Sequence, residues 1–299
     1  MVFRYFLGNM IREAAQQQFH EATENAREAA ERAADLKCDI LVVMALPIEA
    51  GGMVDQLQDV VVTAGDGFTE RIGQLGKSTC VGILETGPGQ KRAGAATAEV
   101  IASREPQWVI SAGFAGGLRD ELRRGHFLMA DSVTQASTNE HIEIGLTMDR
   151  DALESSKGVH VGRLLTVDRI IRGVAEKRQL GEQHDAIACD METFAVARCC
   201  QEAKKRFLSV RIIRDAVDDE LPKEIDKLLQ QENRVAQLGA AAAALWNRPS
   251  SAKDMWKLKE DALQASDRLA RFLPGVIEQL PIASIDRRSD GNADENTDQ

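Results

Sequence analysis

The chain has no CxxC pair, no apolar run approaching a membrane span, no surplus of positive charge and no internal repeat. Its 5 cysteines, Cys38, Cys80, Cys189, Cys199 and Cys200, have neither zinc-ligand spacing nor a histidine-rich neighbourhood. That excludes a recognisable zinc site and a disulfide framework, and a reducing cytoplasm is the expected setting. A spanning helix needs about 20 consecutive apolar residues, and Arg4 interrupts the apolar N-terminal stretch before a signal core could form. No spanning segment is expected. A formal net charge of -10 argues against nucleic acid, which is bound through clustered Lys and Arg. The glycine clusters follow neither GxGxxG nor the Walker A spacing, so dinucleotide and ATP binding have no motif.

What is present suits an α/β fold. The 299 residues, 43% hydrophobic, are enough for one large α/β domain or two smaller ones. Short apolar runs rich in β-branched residues at 40–46, 60–63, 80–86 and 108–112 read as buried strands. Further strands are expected at 127–134, 164–167 and 207–213. Between them, 90–103, 191–205 and 224–246 read as helices, the first crossing over the sheet. The alternation predicts a three-layer α/β sandwich, a twisted mixed sheet flanked by helices. Helical spacing recurs over 2–36 and, after Arg248-Pro249-Ser250-Ser251, from Met255 to Val276. From Arg287 the chain lacks apolar residues and reads as a disordered tail. The expected division is an N-terminal helical extension (1–37), an α/β domain (38–248), and a C-terminal helix with an acidic tail (249–299).

Carboxylates carry the chemistry. Asp190-Met191-Glu192 opens a helix, and Ile213-Arg214-Asp215 follows one strand later, where open α/β folds build their sites. Glu49 lies just beyond the first strand. Cleaving a sugar–purine bond calls for a protonated leaving base, a partly cationic sugar and an activated water. Asp215 is the candidate acid, Glu49 the candidate base, and Glu192 the candidate ligand for sugar hydroxyls. Each also has a plain structural reading. Asp190 and Glu192 suit a helix cap, Glu49 suits a helix start after Pro47, and Asp215 neighbours the acidic Asp218, Asp219 and Glu220. Gly87-Pro88-Gly89 and Gly113-Phe114-Ala115-Gly116-Gly117 follow strands and allow a ligand to approach backbone amides, or are tight turns.

Taken together, 41–49, the Thr86-Gly87-Pro88-Gly89 turn, 111–118, Asp190-Met191-Glu192 and 210–215 resemble the nucleoside phosphorylase and nucleosidase superfamily. Within it the chain most resembles the methylthioadenosine/S-adenosylhomocysteine nucleosidases, over roughly 40–246. The resemblance implies a sandwich fold, no metal or organic cofactor, and a homodimer or larger homo-oligomer. It makes 38–248 the catalytic domain, Glu49 the water-activating glutamate, Met191 and Glu192 a ribose-contacting pair and Asp215 the purine-protonating aspartate. Arg211 matches an arginine that supports the site; Ile170 and Ile171 fall near positions flanking the base; Gly87, Gly113 and Phe114 line the site.

Two departures bear on mechanism. Where the family commonly has serine before the aspartate, this chain has Arg214, a cation that favours ionised Asp215 and opposes an acid role. Alternatively Arg214 points to the opposite strand face and pairs with Asp218 or Asp219. Phe114 replaces a family serine that faces the water or phosphate. The resemblance implies that phosphorylases of this superfamily bind phosphate through arginines in the first loop and near the glycine-rich strand end; here 46–53 contains none and Ser111 stands at the latter position, so hydrolysis is expected over phosphorolysis unless Arg92 or Arg119 reaches in. The expected function is hydrolytic release of adenine from a 5′-substituted adenosine. The alternatives are a purine nucleoside phosphorylase, an inactive nucleoside-binding regulator, and an adenosyl-lipid enzyme similar to a hopanoid-associated branch with extra C-terminal helical sequence. For the last, the 1–11 face is either a peripheral membrane contact or a cover for the core. His141, Trp246, Trp256 and Phe272 are left out of the site.

Overall fold

A computed structural model describes residues 36–146, 149–221 and 249–283, with the side chains of 249–259 not described. The helices expected over 2–36 and 224–246 and the tail from 287 fall outside the described residues, Leu36 apart. The strands are β1 (Ile40–Met44), β2 (Gln58–Ala64), β3 (Thr69–Leu75), β4 (Thr79–Glu85), β5 (Trp108–Gly117), β6 (Phe127–Gln135), β7 (His141–Glu143), β8 (Val159–Thr166), β9 (Ala188–Asp190) and β10 (Arg206–Asp215). The helices are α1 (Pro47–Val54), α2 (Gln90–Arg104), α3 (Arg150–Ser155), α4 (Val174–Gln183), α5 (Thr193–Glu202) and α6 (Pro249–Glu278).

One mixed sheet runs β10-β6-β8-β9-β5-β1-β4-β3-β2, with β7 beside β6. Strand β5 is its hub. It pairs in parallel with β1 over Trp108 to Ser111 and with β10 along most of its length. Past the end of β1, Gly116 and Gly117 pair antiparallel with β9. Because β10 also pairs with β6, β6 with β8 and β8 with β9, the sheet curls until it closes on β5.

All five residues of β1 are buried because helices cover both sheet faces. Ile40, Val42 and Met44 share a core with Ala50 and Met53 of α1 and Leu269 and Leu273 of α6. Leu41 and Val43 face the other way, into a cluster with Ala93 and Val100 of α2 and Val196 and Cys200 of α5. Burying each such side chain contributes about 1.5–3 kcal/mol.

The three-layer sandwich is as expected, with four local corrections. Strand β2 is an exposed edge rather than a buried strand, with Val60 at 37% and Val62 at 60% exposure. Next to it β3 was not anticipated, because its glutamate hides the pattern: Glu70 is buried and takes hydrogen bonds of 2.7–3.0 Å from Arg104. The glycine-rich 113–117 segment is not a turn but the second half of β5. Helix α4 was also unexpected. Helix α6, at the expected place in the chain, docks on the sandwich: Gln56 Nε2 donates to the Ala270 carbonyl at 2.6 Å, and Phe272 stacks on Phe127 at 4.1 Å between ring centroids. Among the described residues, no helix is long and apolar enough to cross a membrane.

Candidate active site

Pro47 starts α1 with its φ preset, which puts Glu49 in the first turn. Its Oε2 accepts from the backbone N–H of Ala45 (3.0 Å) and Leu46 (2.9 Å), as a helix-capping glutamate does. The other oxygen does more than cap. Oε1 accepts from the Phe114 N–H at 2.8 Å, a bond spanning 65 residues that ties α1 to β5. Gly113 permits this approach. It has φ +155°, and a Cβ there would stand 2.4 Å from Arg211 Nη1 and 2.7 Å from Glu49 Oε1. Burial pushes the Glu49 carboxyl above the usual range, with the Arg211 charge and three backbone donors pulling it back.

Arg211 lies on β10 and is itself buried. Its Nη2 donates to Ser111 Oγ (2.8 Å), Asp190 Oδ2 (2.8 Å) and Thr193 Oγ1 (2.6 Å). Asp190 in turn accepts from the Thr193 N–H (2.8 Å), the Glu192 N–H (3.3 Å) and Thr166 Oγ1 (2.7 Å). Asp190 is therefore the cap and anchor of α5, with both oxygens already engaged. Glu192 stands at the helix cap position and reaches across to the other glycine cluster, where its Oε1 accepts from the Gly89 N–H at 2.8 Å. Burial, then the neighbouring Asp190 carboxylate, pushes the Glu192 carboxyl up to about 8. Gly87 sits in the same turn, its carbonyl accepting from Thr86 Oγ1 at 2.8 Å.

Asp215 follows a register shift in the β10–β5 ladder, which places it opposite Gly116. The absence of a Cβ at Gly116 makes room for it: a Cβ there would lie 3.1 Å from Asp215 Oδ2. Its partner is Lys177 of α4, whose Nζ lies 2.5 Å from Oδ2 and whose side chain is fully buried. Burial raises the Asp215 carboxyl above its usual range, opposed first by Lys177 and then by Arg214.

Of the two readings of Arg214, the structure favours a cation close to Asp215 over a pairing with Asp218 or Asp219. The Arg214 guanidinium lies over the Phe114 ring, 5.9 Å from its centroid, whereas Asp218 pairs with Arg178 and Asp219 with Arg124. The register shift at Arg214 breaks the simple alternation on which that expectation rested.

Strand β5 thus carries both halves of the site. Gly113 and Phe114 hold Glu49, and Gly116 faces Asp215; that offset of three residues is roughly 10 Å along a strand. Arg211, Asp190 and Thr193 connect the Glu49 end to Glu192. Ile171 lies in an apolar cluster with Leu118, Leu165, Val167 and Cys189, against which Met191 packs; Ile170 is half-buried outside that cluster. His141 stays on the exposed β7, bonded to Thr134 and Glu143. Arg119 donates to the Gly181 carbonyl and Arg92 is exposed on α2. A cavity of about 530 Å³ near Trp108, Phe207 and Pro281, at the other ends of β5 and β10, is lined by none of the site residues expected from the sequence. Among the described residues, no group of three His, Cys, Asp or Glu side chains is placed to hold a metal ion.

Lys177, Thr193 and Thr166 escaped the sequence reading, and Ser111 was noted there without a bond to Arg211. Lys177 is flanked by Glu176 and Arg178 and looks like any exposed helical lysine. The small hydroxyl residues carry no signal until the fold gathers them around Arg211 and Asp190.

The chain belongs to the Phosphorylase superfamily, whose profile matches residues 39–245. Its relatives include the 5′-methylthioadenosine/S-adenosylhomocysteine nucleosidases of Hydrogenovibrio crunogenus, 27% identical over 60% of this chain and 87% of that protein, and of Haemophilus ducreyi, 28% identical over 61% and 86%. Among solved structures, a Helicobacter pylori MTAN mutant with 5′-methylthioadenosine in its active site superposes with a TM-score of 0.63 at 17% identity, covering 82% of this chain and all (100%) of that one.

Proposed function

We propose that this protein is a nucleosidase that hydrolyses the N-glycosidic bond of a 5′-substituted adenosine, of the methylthioadenosine or S-adenosylhomocysteine type, and releases adenine. The relatives' named activity supports the reaction type. The observation that carries the reading is the buried Glu49 carboxyl beside Arg211, its Oε1 held by the Phe114 N–H.

The roles follow from position. Burial raises the proton affinity of Glu49, making it a stronger base than an exposed glutamate for taking a proton from water. Glu192, fixed by the Gly89 amide, binds ribose hydroxyls, and the positive charge that develops on the sugar draws its buried carboxyl toward the ionised form. Asp215 gives its proton to a purine ring nitrogen. The bonding electrons of the breaking C–N bond pass into the base, the water oxygen bonds the sugar carbon, and Glu49 takes the water's proton. Adenine leaves neutral, after which Glu49 loses its proton to solvent and Asp215 regains one.

Hydrolysis is favoured over phosphorolysis by the donor inventory. The Phe114, Ala45 and Leu46 amides are already bonded to a carboxylate, and Arg211 Nη2 makes three bonds within the protein. A phosphate would need those donors and would meet Glu49 head-on. A homodimer or larger oligomer, supported by the family resemblance, and a cytoplasmic setting, supported by the cysteine pattern, belong to the same proposal.

A second reading, a nucleoside-binding protein without turnover, draws on the Lys177 ammonium at Asp215, which favours the ionised form of the acid. The test is adenine release from methylthioadenosine by wild type and Asp215→Asn. Release by wild type with a loss of about 100-fold or more in the variant supports the acid assignment. Equal rates refute it, and tight binding without release by wild type favours the second reading.

A further inference from the structure

Lys177 has no role in the chemistry just described, yet it is the largest fully buried side chain among the described residues. Its Nζ meets Asp215 Oδ2 at 2.5 Å, the Ala216 carbonyl at 2.9 Å and the Asp219 carbonyl at 2.8 Å. An ammonium has three donors, and here all are used. The arrangement is specific to the protonated lysine, since a buried charge is tolerated only when paired and hydrogen-bonded. The turn that supplies these carbonyls is itself braced: Asp219 Oδ2 accepts from the Ala216 N–H at 2.7 Å and from Arg124 Nε at 2.6 Å.

The other Asp215 oxygen, Oδ1, accepts no hydrogen bond among the described residues. We infer that Lys177 is the positioning residue of the purine-side acid: its ammonium holds Asp215 by one oxygen, presents the other to the base, and joins the two side chains into one proton-sharing pair. This rests on the acid role given to Asp215 above. The charged and titratable groups around Asp215 are Lys177 of α4, Arg214 of β10, Asp219 beyond it, Cys189 of β9 and Arg124 between β5 and β6. Of these, only Lys177 hydrogen-bonds the carboxylate.

A lysine that merely latches the turn would change rate or stability at every pH alike. A pairing lysine also sets where the acid loses its proton. The acid must be protonated to act, so activity falls as pH rises through the pair's titration. Removing the cation moves that alkaline limb upward by about 1–3 pH units, while the acidic limb, set by Glu49, stays in place.

The experiment is the pH profile of kcat for adenine release by wild type and Lys177→Met, with a Asp215 carboxyl ¹³C titration in both free proteins. An upward shift of limb and titration supports the pairing. Unchanged midpoints overturn it, whatever the loss of rate. Should wild type release no base, the proposed function falls and the carboxyl titration alone decides the pairing. Should Lys177→Met not fold, wild type still carries the test: the Lys177 ¹⁵Nζ chemical shift must move as the Asp215 carboxyl titrates, and an Nζ signal unmoved across that titration overturns the pairing.

Discussion

Replacing Gly113 by alanine puts a methyl group 2.4 Å from Arg211 Nη1 and 2.7 Å from Glu49 Oε1. Neither neighbour can easily yield. Arg211 is held by Ser111, Asp190 and Thr193, and Glu49 by the Phe114, Ala45 and Leu46 amides. Restoring ordinary contact moves the guanidinium by about 1 Å, enough to take the catalytic groups out of register, and a misplacement of that size costs about 100-fold in rate. The backbone adds to the effect, because φ +155° suits glycine and strains alanine by about 1–3 kcal/mol. Overpacking contributes about another 1–3 kcal/mol. Gly113→Ala is therefore expected to unfold at lower urea, with a loss of about 2–6 kcal/mol, and the folded fraction to release adenine about 100-fold more slowly. Wild-type stability together with wild-type kcat would refute the close approach of Gly113, Arg211 and Glu49.

Other expectations concern stability. The Glu192 carboxyl titrates near 8 in the folded protein and near 4.5 when unfolded, so its contribution is fully present below 4.5 and is lost as pH rises through about 8. Urea unfolding at pH 5 and pH 8.5 should show a steeper decline for wild type than for Glu192→Gln, and equal slopes would contradict the burial assigned to this group. Leu269→Ala, at a fully buried position of α6, should cost about 2–5 kcal/mol and lower the single unfolding midpoint of the α/β domain, because Leu269 shares a core with β1 and α1. A separate transition for α6 would instead uphold the division at residue 249. Lys177→Met should cost about 3–5 kcal/mol in thermal or urea unfolding near neutral pH, since it strands a buried carboxylate; a variant as stable as wild type would show that the pair is not desolvated.

Much of the frame was legible because it rests on apolar runs. Strands β1 and β5, helix α2 and the start of β10 announced themselves through Val, Ile and Ala that the fold buries on both sheet faces. The path of the chain was harder where polar residues enter the core. Glu70 masks β3 because its neutralising partner, Arg104, lies 34 residues away. Glycines read as a turn at 113–117 because the residue type signals freedom, whereas here their lack of side chains admits Glu49 and Asp215. The candidate carboxylates stood out from their places at the ends of strands and the start of a helix. What the sequence could not reveal was the division of labour among them, in which Asp190 anchors Arg211 and α5 while Glu192 reaches the Gly89 amide. Nor could it reveal Lys177, whose significance exists only once α4 is folded against Asp215.

The central claim is that a water held at Glu49, not a phosphate, replaces the base. Incubating the protein with methylthioadenosine in H₂¹⁸O containing phosphate, and reading the sugar product by mass spectrometry, tests it directly. One ¹⁸O atom in a free methylthioribose, with adenine released in equal amount, is the predicted result. A sugar 1-phosphate without ¹⁸O at the anomeric oxygen would contradict it.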